Sequence, residues 1–215
     1  VQVFVAVSLL IGVTAALAPV AAAQSVSGKA YGAFVQSPSG TQQSAVAVLP
    51  AVTADDGAMA DDAADGMSVP GTLTTEALTG TTSGAIGDAA AAQSVATVFN
   101  VNLLNGLITA SSLTATVSST SNGAQATSNA LGSTLADLVV NGVQLTSGDA
   151  SIAPNTRVTL PGVGYVVVNE QLPTGDGVRT TGLTVNLIHV VLQNALTGLQ
   201  TGELIIGSAT SSAAM

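Results

Sequence analysis

Cysteine and tryptophan are missing from this 215-residue chain, and it has one histidine and three lysines and arginines together. Without cysteine there is no disulfide, no thiolate nucleophile and no thiolate-held zinc. Three basic residues cannot form the positive stripe that phosphate backbones require, which excludes nucleic acid as a partner. A polybasic membrane-surface site fails for the same reason. Charged residues make up 7% of the chain, against about 25% in ordinary soluble domains. Aromatics make up only 2%.

What remains is mostly Ala, Gly, Ser, Thr and Val, with an apolar share of 47% and a formal net charge of -9. That apolar share is too high, and the charge too low, for a disordered chain. Small and β-branched residues without charge favour many short, close-packed strands over helices. The expected fold class is all-β: a single antiparallel β-sandwich, or a partly closed barrel-like domain, preceded by an N-terminal signal-peptide helix.

The leader is the stretch VQVFVAVSLLIGVTAALAPVAAA, residues 1–23. An apolar run that ends in small residues before Gln24 has the form of a secretory signal peptide cleaved after Ala23. The run is short for a membrane span, and strand-like sequence follows it at once. The usual initiator Met and basic start are missing, so the leader reads as truncated at its start. The expected location is secreted or at the cell surface. GELIIGSATSSAAM carries no anchor, which leaves attachment open between release and an anchoring segment beyond Met215.

Residues 24–215 then read as one all-β extracellular domain with turn signals every ten to fifteen residues. The strongest hairpin signal is LADLVV-NG-VQLTS, where Asn141-Gly142 tolerates the positive φ of a type I′ turn. Asn105-Gly106, Asn122-Gly123 and Pro161-Gly162 mark further turns. The most helix-compatible segment is Ala124 to Ala136, weakened by Gly132 and its Ser and Thr residues. AVTADDGAMADDAADGMSVPG reads as a long acidic loop at about 54–71.

Each chemical reading has a plainer rival. Asp55, Asp56, Asp61, Asp62 and Asp65 are hard oxygen donors, and weak calcium binding is the metal reading they allow. Their spacing fits neither an EF-hand nor a glycine-rich nonapeptide, and a solvated acidic loop explains them as well. Lys29, with Asn169 or Asn186 and Glu170, suggests an intramolecular Lys–Asn crosslink, but an exposed solubilising lysine suffices. NEQLPTGDGVRTTGLTVNLIHV gathers Glu170, Asp176, Arg179 and His189. If its hairpin folds about Gly175, Glu170 faces Thr180 and His189 lies about 30 Å away, at ~3.3 Å per residue. A Glu/His dyad is then excluded. His189 becomes a semi-buried histidine on the face of Val185, Leu187 and Val191, Asp176 a turn aspartate, and Arg179 the partner of a surface acid. No G-x-S-x-G motif is present. No residue is put forward as catalytic, cofactor-binding or metal-binding, and no cofactor is expected.

SGKAYGAFV, ATVFNVNLLNGLITASSLTATVSS, TLPGVGYVVVNEQ and GDGVRTTGLTVNLIHVVL together resemble the bacterial surface proteins of the choice-of-anchor P family. The resemblance runs from Ser27 to about Ser211. It implies an exported envelope protein joined to its surface by one of several interchangeable C-terminal anchors, and it carries over no catalytic residue. The expected function is a non-enzymatic structural or adhesion-type surface domain with cell-envelope contacts. Two alternatives stand beside it. One is a filament or layer subunit that self-associates by strand addition at SVSGKAYGAFV or GELIIGSATSS. The other is a secreted carbohydrate-active protein built on two facing carboxylates.

Overall fold

The computed structural model describes residues 24–38, 40–53 and 56–215. Residues 1–23, read above as a leader, and Asp55 of the acidic segment lie outside these described residues. Among them every regular element is a strand. The all-β expectation holds, and Ala124 to Ala136 forms strands as well: β9 (Ala126–Asn129) and β10 (Thr134–Ala136).

One sheet has six strands in the order β14 (Thr156–Leu160), β15 (Gly164–Gly175), β16 (Thr180–Gln193), β17 (Gln200–Ala214), β1 (Ser25–Ser37) and β2 (Gly40–Val48). The second is built on β6 (Leu78–Ile86), β7 (Ala90–Leu103) and β8 (Ile108–Ser121). There β3 (Asp56–Ala64) pairs with β6, and β5 (Leu73–Thr75) pairs with β7. β9, β10 and β11 (Val139–Val140) lie in succession along the far side of β8. The sheets stack as a sandwich and do not close into a barrel. Asn141 and Gly142, at φ 51° and 75°, join β11 to β12 (Val143–Gln144) as the sequence indicates. Pro161-Gly162 likewise joins β14 to β15, and Asn105-Gly106 joins β7 to β8.

Two expectations are corrected here. The acidic segment is not a loop: Asp56–Ala64 is a nine-residue strand paired along its whole length with β6, and Met67–Val69 (β4) pairs with β5. Ala58, Ala60 and Ala64 are the half-covered positions of this strand and Met59, Asp61 and Ala63 are exposed, the period-2 pattern of an edge strand with one solvated face. The two end segments proposed for strand addition have no free edge, because β1 lies between β17 and β2, and β17 between β16 and β1.

A transverse crease crosses both sheets. In the six-stranded sheet the row Asn155, Asn169, Leu187, Gly207, Gly32 and Ala45 interrupts the ladders. Four of its members have positive φ: Asn155 (60°), Asn169 (51°), Gly207 (66°) and Ala45 (54°). In the second sheet the row runs Glu76, Asn100, Ser111, Asp137, with Asn100 and Asp137 at φ 50°. The inward side changes parity at the row. In β17 it is Leu204 and Ile206 before the crease, then Ala209, Ser211 and Ala213 after it. In β7 it is Ala96 and Val98 before, then Val101 and Leu103 after.

The crease divides the core into unlike halves. One is aliphatic, with Leu103, Ile108, Leu138, Val140, Val190 and Leu204 among its fully covered side chains. The other is dominated by Gly, Ala and Ser, and there the sheets approach closely. A Cβ on Gly80 would lie 2.6 Å from the Ala45 carbonyl oxygen. Hydroxyls bridge the sheets in this half. Ser94 Oγ donates to the Thr210 carbonyl at 2.7 Å, and Ser119 Oγ lies 2.7 Å from Ser211 Oγ. Buried hydroxyls are costly unless paired, and paired they fix the distance between the layers.

Gly80→Ala forces a methyl against a backbone carbonyl, so it is expected to cost about 1–3 kcal/mol, the range for overpacking. Gly87→Ala, where nothing lies within 4 Å, is expected to be near neutral. Urea unfolding of the two variants checks the close approach; equal stabilities would contradict it.

Candidate functional site

The site grows out of the crease on the outer face of the six-stranded sheet. In an unbroken strand, residues three apart point to opposite faces. Because the parity of β16 changes between Leu187 and Ile188, both fully buried, Asn186 and His189 share the outer face. The same change at Gly207 sets Ser208 on the face of Glu203, and the change at Gly32 sets Tyr31 beside Phe34, ring centroids 6.4 Å apart. Asn169 turns β15 so that Glu170 stands opposite Asn186.

The result is a continuous polar chain across four strands. Ser208 Oγ donates to Asn186 Oδ1 at 2.7 Å, and Asn186 Nδ2 donates to Glu170 Oε2 at 2.7 Å. Glu170 Oε2 lies 2.9 Å from His189 Nδ1. On the other side of the ring, His189 Nε2 lies 2.8 Å from Glu203 Oε1. That second contact is a short ion pair off the direction of a good hydrogen bond, and the buried Nε2 has no well-directed partner. The Tyr31 phenol closes the chain against Ser208. Asn186 and Ser208 are buried on what is nominally the outer face.

The electrostatics follow from these contacts. The hydrogen bond from His189 holds the Glu170 carboxyl below its usual range; burial opposes this, and Asn186 adds to it. Burial works against a charged His189, but the hydrogen bond to Glu170 and the charges of Glu170 and Glu203 outweigh it, and its pKa lies above the usual 6.5. Burial raises the Tyr31 phenol against the opposing bond to Ser208, with Glu203 and Glu170 adding to the rise. An imidazolium held between two carboxylates is the arrangement these contacts favour.

This overturns the separation of Glu170 from His189. The β15–β16 hairpin pairs Gly175 with Thr181, so that paired numbers sum to 356 (175 + 181) and not to 350. Its turn is centred on Val178 because Asp176 Oδ1 accepts the backbone N–H groups of Val178, Arg179 and Thr180 at 2.8–2.9 Å. Led by the Thr180 bond, these hold the Asp176 carboxyl far below the usual aspartate range. Asp176 is thus the turn aspartate expected. Arg179 acts through its backbone, its carbonyl accepting from Ser121 Oγ and Met215 N, and not through an acid partner. The register slip and the crease together move His189 onto Glu170. The local signal lies in Asn169 and Gly207, residue types that tolerate positive φ, on the two strands that flank β16.

The remaining candidates do not converge. Among the described residues, no group of three or more His, Asp or Glu side chains could hold a metal ion. Asp62 is engaged at a sheet edge, its Oδ2 accepting the Val46 N–H at 2.7 Å. Lys29 is exposed, with Nζ 5.3 Å from the Tyr31 ring centre. Asn186 uses both ends of its amide in the polar chain, and Asn169 Nδ2 donates to the Ile152 carbonyl at 2.6 Å. The proposed crosslink therefore has no geometry to support it. A shallow cavity of about 420 Å³ lies elsewhere, on the second sheet, lined by Ser83, Ala91, Gln93, Ser118 and Thr120 among others. Comparison with known protein families, characterised proteins and solved structures finds no match.

Replacing Asn186 by Leu, of similar size, takes its acceptor from the buried Ser208 Oγ and leaves Glu170 Oε2 with His189 alone. The expected cost is about 1–3 kcal/mol, that of leaving buried polar groups unpaired. Chemical denaturation at pH 6 checks it; a loss below a few tenths would show that the chain is solvated instead.

Proposed function

We propose that the chain is an exported, non-enzymatic β-module of the cell envelope, structural or adhesive in kind, whose recognition face is the outer side of the six-stranded sheet. The observation that carries this reading is a segregation of side chains. Both tyrosines, the single histidine and Phe34 lie on that face, together with Lys29 and Arg157 from the three basic residues of the chain. Arg157 covers the Tyr165 ring at 3.7 Å. The outer side of β6, β7 and β8 carries instead Thr79, Thr81, Thr97, Thr114, Thr116 and Ser118 in register, with Phe99 at its end the one aromatic among the described residues of that face. Aromatic and Arg side chains are the residues most enriched at interface centres. In a chain with so few of them, the gathering of Tyr31, Phe34, Tyr165 and His189 on one face, against Phe99 alone on the other, is what a presented surface requires.

The form of residues 1–23 supports export, and the resemblance to the choice-of-anchor P family points to the same compartment. Antiparallel ladders, small interior side chains and inter-sheet hydroxyl pairs supply rigidity without disulfides. Glu170 and Glu203 both engage His189. A two-carboxylate hydrolytic reading would need them free and facing a substrate.

Expression of the chain from an added initiator Met in a bacterial host is expected to place it outside the cytoplasm, with Gln24 as the new N-terminus by Edman sequencing. Purified envelope fragments are expected to retain it, and Phe34→Ala with Tyr165→Ala to reduce retention at least tenfold without lowering the melting temperature by more than a few degrees. Cytoplasmic retention would remove the export reading. Equal retention of the double variant would remove the assignment of the face.

A further inference from the structure

We infer that His189 is a proton-operated latch: its imidazolium ties β15 to β17 across β16, and loss of its proton releases Glu203 while Glu170 stays bound. The geometry of the two ring nitrogens is unequal, and this fixes which contact breaks. Nδ1 faces a carboxylate oxygen at 2.9 Å that Asn186 also supports at 2.7 Å. Nε2 faces Glu203 Oε1 at 2.8 Å without a good hydrogen-bond direction and has no other partner.

A neutral imidazole keeps one N–H. Retained on Nδ1, it preserves the directed bond to Glu170, whose side chain is 16% exposed. The lone pair of Nε2 then confronts a carboxylate oxygen at contact distance, which is repulsive. Glu203, at 24% exposure, is the more accessible of the two carboxylates and can turn to solvent. Retained on Nε2 instead, the proton would leave the Nδ1 lone pair against Glu170, whose carboxylate Asn186 holds in place. The first arrangement therefore prevails.

The groups facing the ring from each neighbouring element agree with this. Glu170 comes from β15 and Glu203 from β17, and both are acidic. Tyr31 from β1 is kept protonated by burial and by those same acids. Lys29 and Arg157, the cations of the face, sit over the rings of Tyr31 and Tyr165.

The pH window follows. A histidine whose folded pKa lies above 6.5 contributes stability that is complete at and below pH 6.5 and is lost as pH rises through the folded value. Glu170, depressed below 4.5, contributes above pH 4.5 and loses that contribution as pH falls through its own folded value. The latch is closed between these limits and opens on the alkaline side. Opening frees a negative charge on the aromatic face beside Tyr31 and removes the side-chain tie between β15 and β17.

Because the chain has a single histidine, its ring can be followed without assignment. The full chain labelled with 15N-histidine is titrated from pH 5 to 10 and read by long-range proton–nitrogen correlation. The expected result is one transition with its midpoint above 6.5, in which Nε2 loses its proton and Nδ1 keeps it, the reverse of the usual tautomer preference. The side-chain carboxyl carbon of Glu203, one of three glutamates in the sequence, is expected to shift at the same midpoint while that of Glu170 does not. Glu203→Gln is expected to lower the midpoint and leave the tautomer unchanged. A neutral form protonated on Nε2, or a midpoint at or below 6.5, overturns the latch, as does a Glu203 carbon that ignores the transition. The unsubstituted chain alone supplies these decisions if the variant does not fold.

Discussion

One geometric constraint organises this protein: every strand that crosses one transverse row has to reverse the inward side of its alternation there. A strand with an uninterrupted period of two presents one set of side chains to the core along its whole length. Here the strands of both sheets switch sets, and they switch together, so the ladders remain paired on either side. A lone switch in one strand would turn its apolar residues out against neighbours that had not turned. The row is thus cooperative by construction. It draws on residues that accept positive φ, namely Asn155, Asn169, Gly207 and Asn100, with Ala45 and Asp137 as the costlier members.

From that row follow both the core and the site. On one side the sheets hold Leu, Ile and Val; on the other they close onto Gly28 and Gly80, where a methyl has no room. The small-residue half buries little apolar surface per strand, and hydroxyls are its means of fixing the layers. Thr82, Ser94, Ser119 and Ser211 are buried and hydrogen-bonded to one another or to carbonyls across the gap. A composition of Ala, Gly, Ser and Thr with almost no long polar side chains is what such an interior demands. On the outer surface the same switch brings together residues an odd number apart, Asn186 with His189 and Ser208 with Glu203, which a regular strand would separate.

The sequence conveyed the parts governed by local chemistry. Alternation and turn residues identified the β class and the hairpins at Asn105-Gly106, Asn141-Gly142 and Pro161-Gly162, because positive φ or a fixed φ at those points is a property of the residues themselves. It misled where neighbours decide. PTGDG contains two glycines, and the side-chain cap of Asp176, not the glycine, centred the turn. Five aspartates read as a loop, yet those of β3 are solvated along an edge strand whose half-covered positions are Ala58, Ala60 and Ala64. The crease was the largest omission: each of its residues is unremarkable alone, and only their alignment on adjacent strands gives them meaning. A register error of six residues and an unseen change of parity together moved His189 from about 30 Å, at ~3.3 Å per residue, to contact with Glu170.

The distribution of acid completes the argument. Asp56, Asp61 and Asp62 lie on β3, the free edge beside β6, and Asp62 also caps an unpaired N–H of β2, the edge of the other sheet. Exposed edges invite pairing with another chain, and carboxylates on them oppose it. Asp137 and Asp176 cap backbone N–H groups at the crease and at a turn, where water or a donor is at hand. Glu170 and Glu203 differ from all of these. They lie partly buried on a sheet face, a short distance from each other's field, where two uncompensated charges would be unfavourable. The one histidine of the chain stands between them, and its proton is the compensation. That placement accounts for a lone imidazole in a protein otherwise nearly free of titratable groups near neutrality, and it makes the conformation of this face answer to pH where the rest of the sandwich does not.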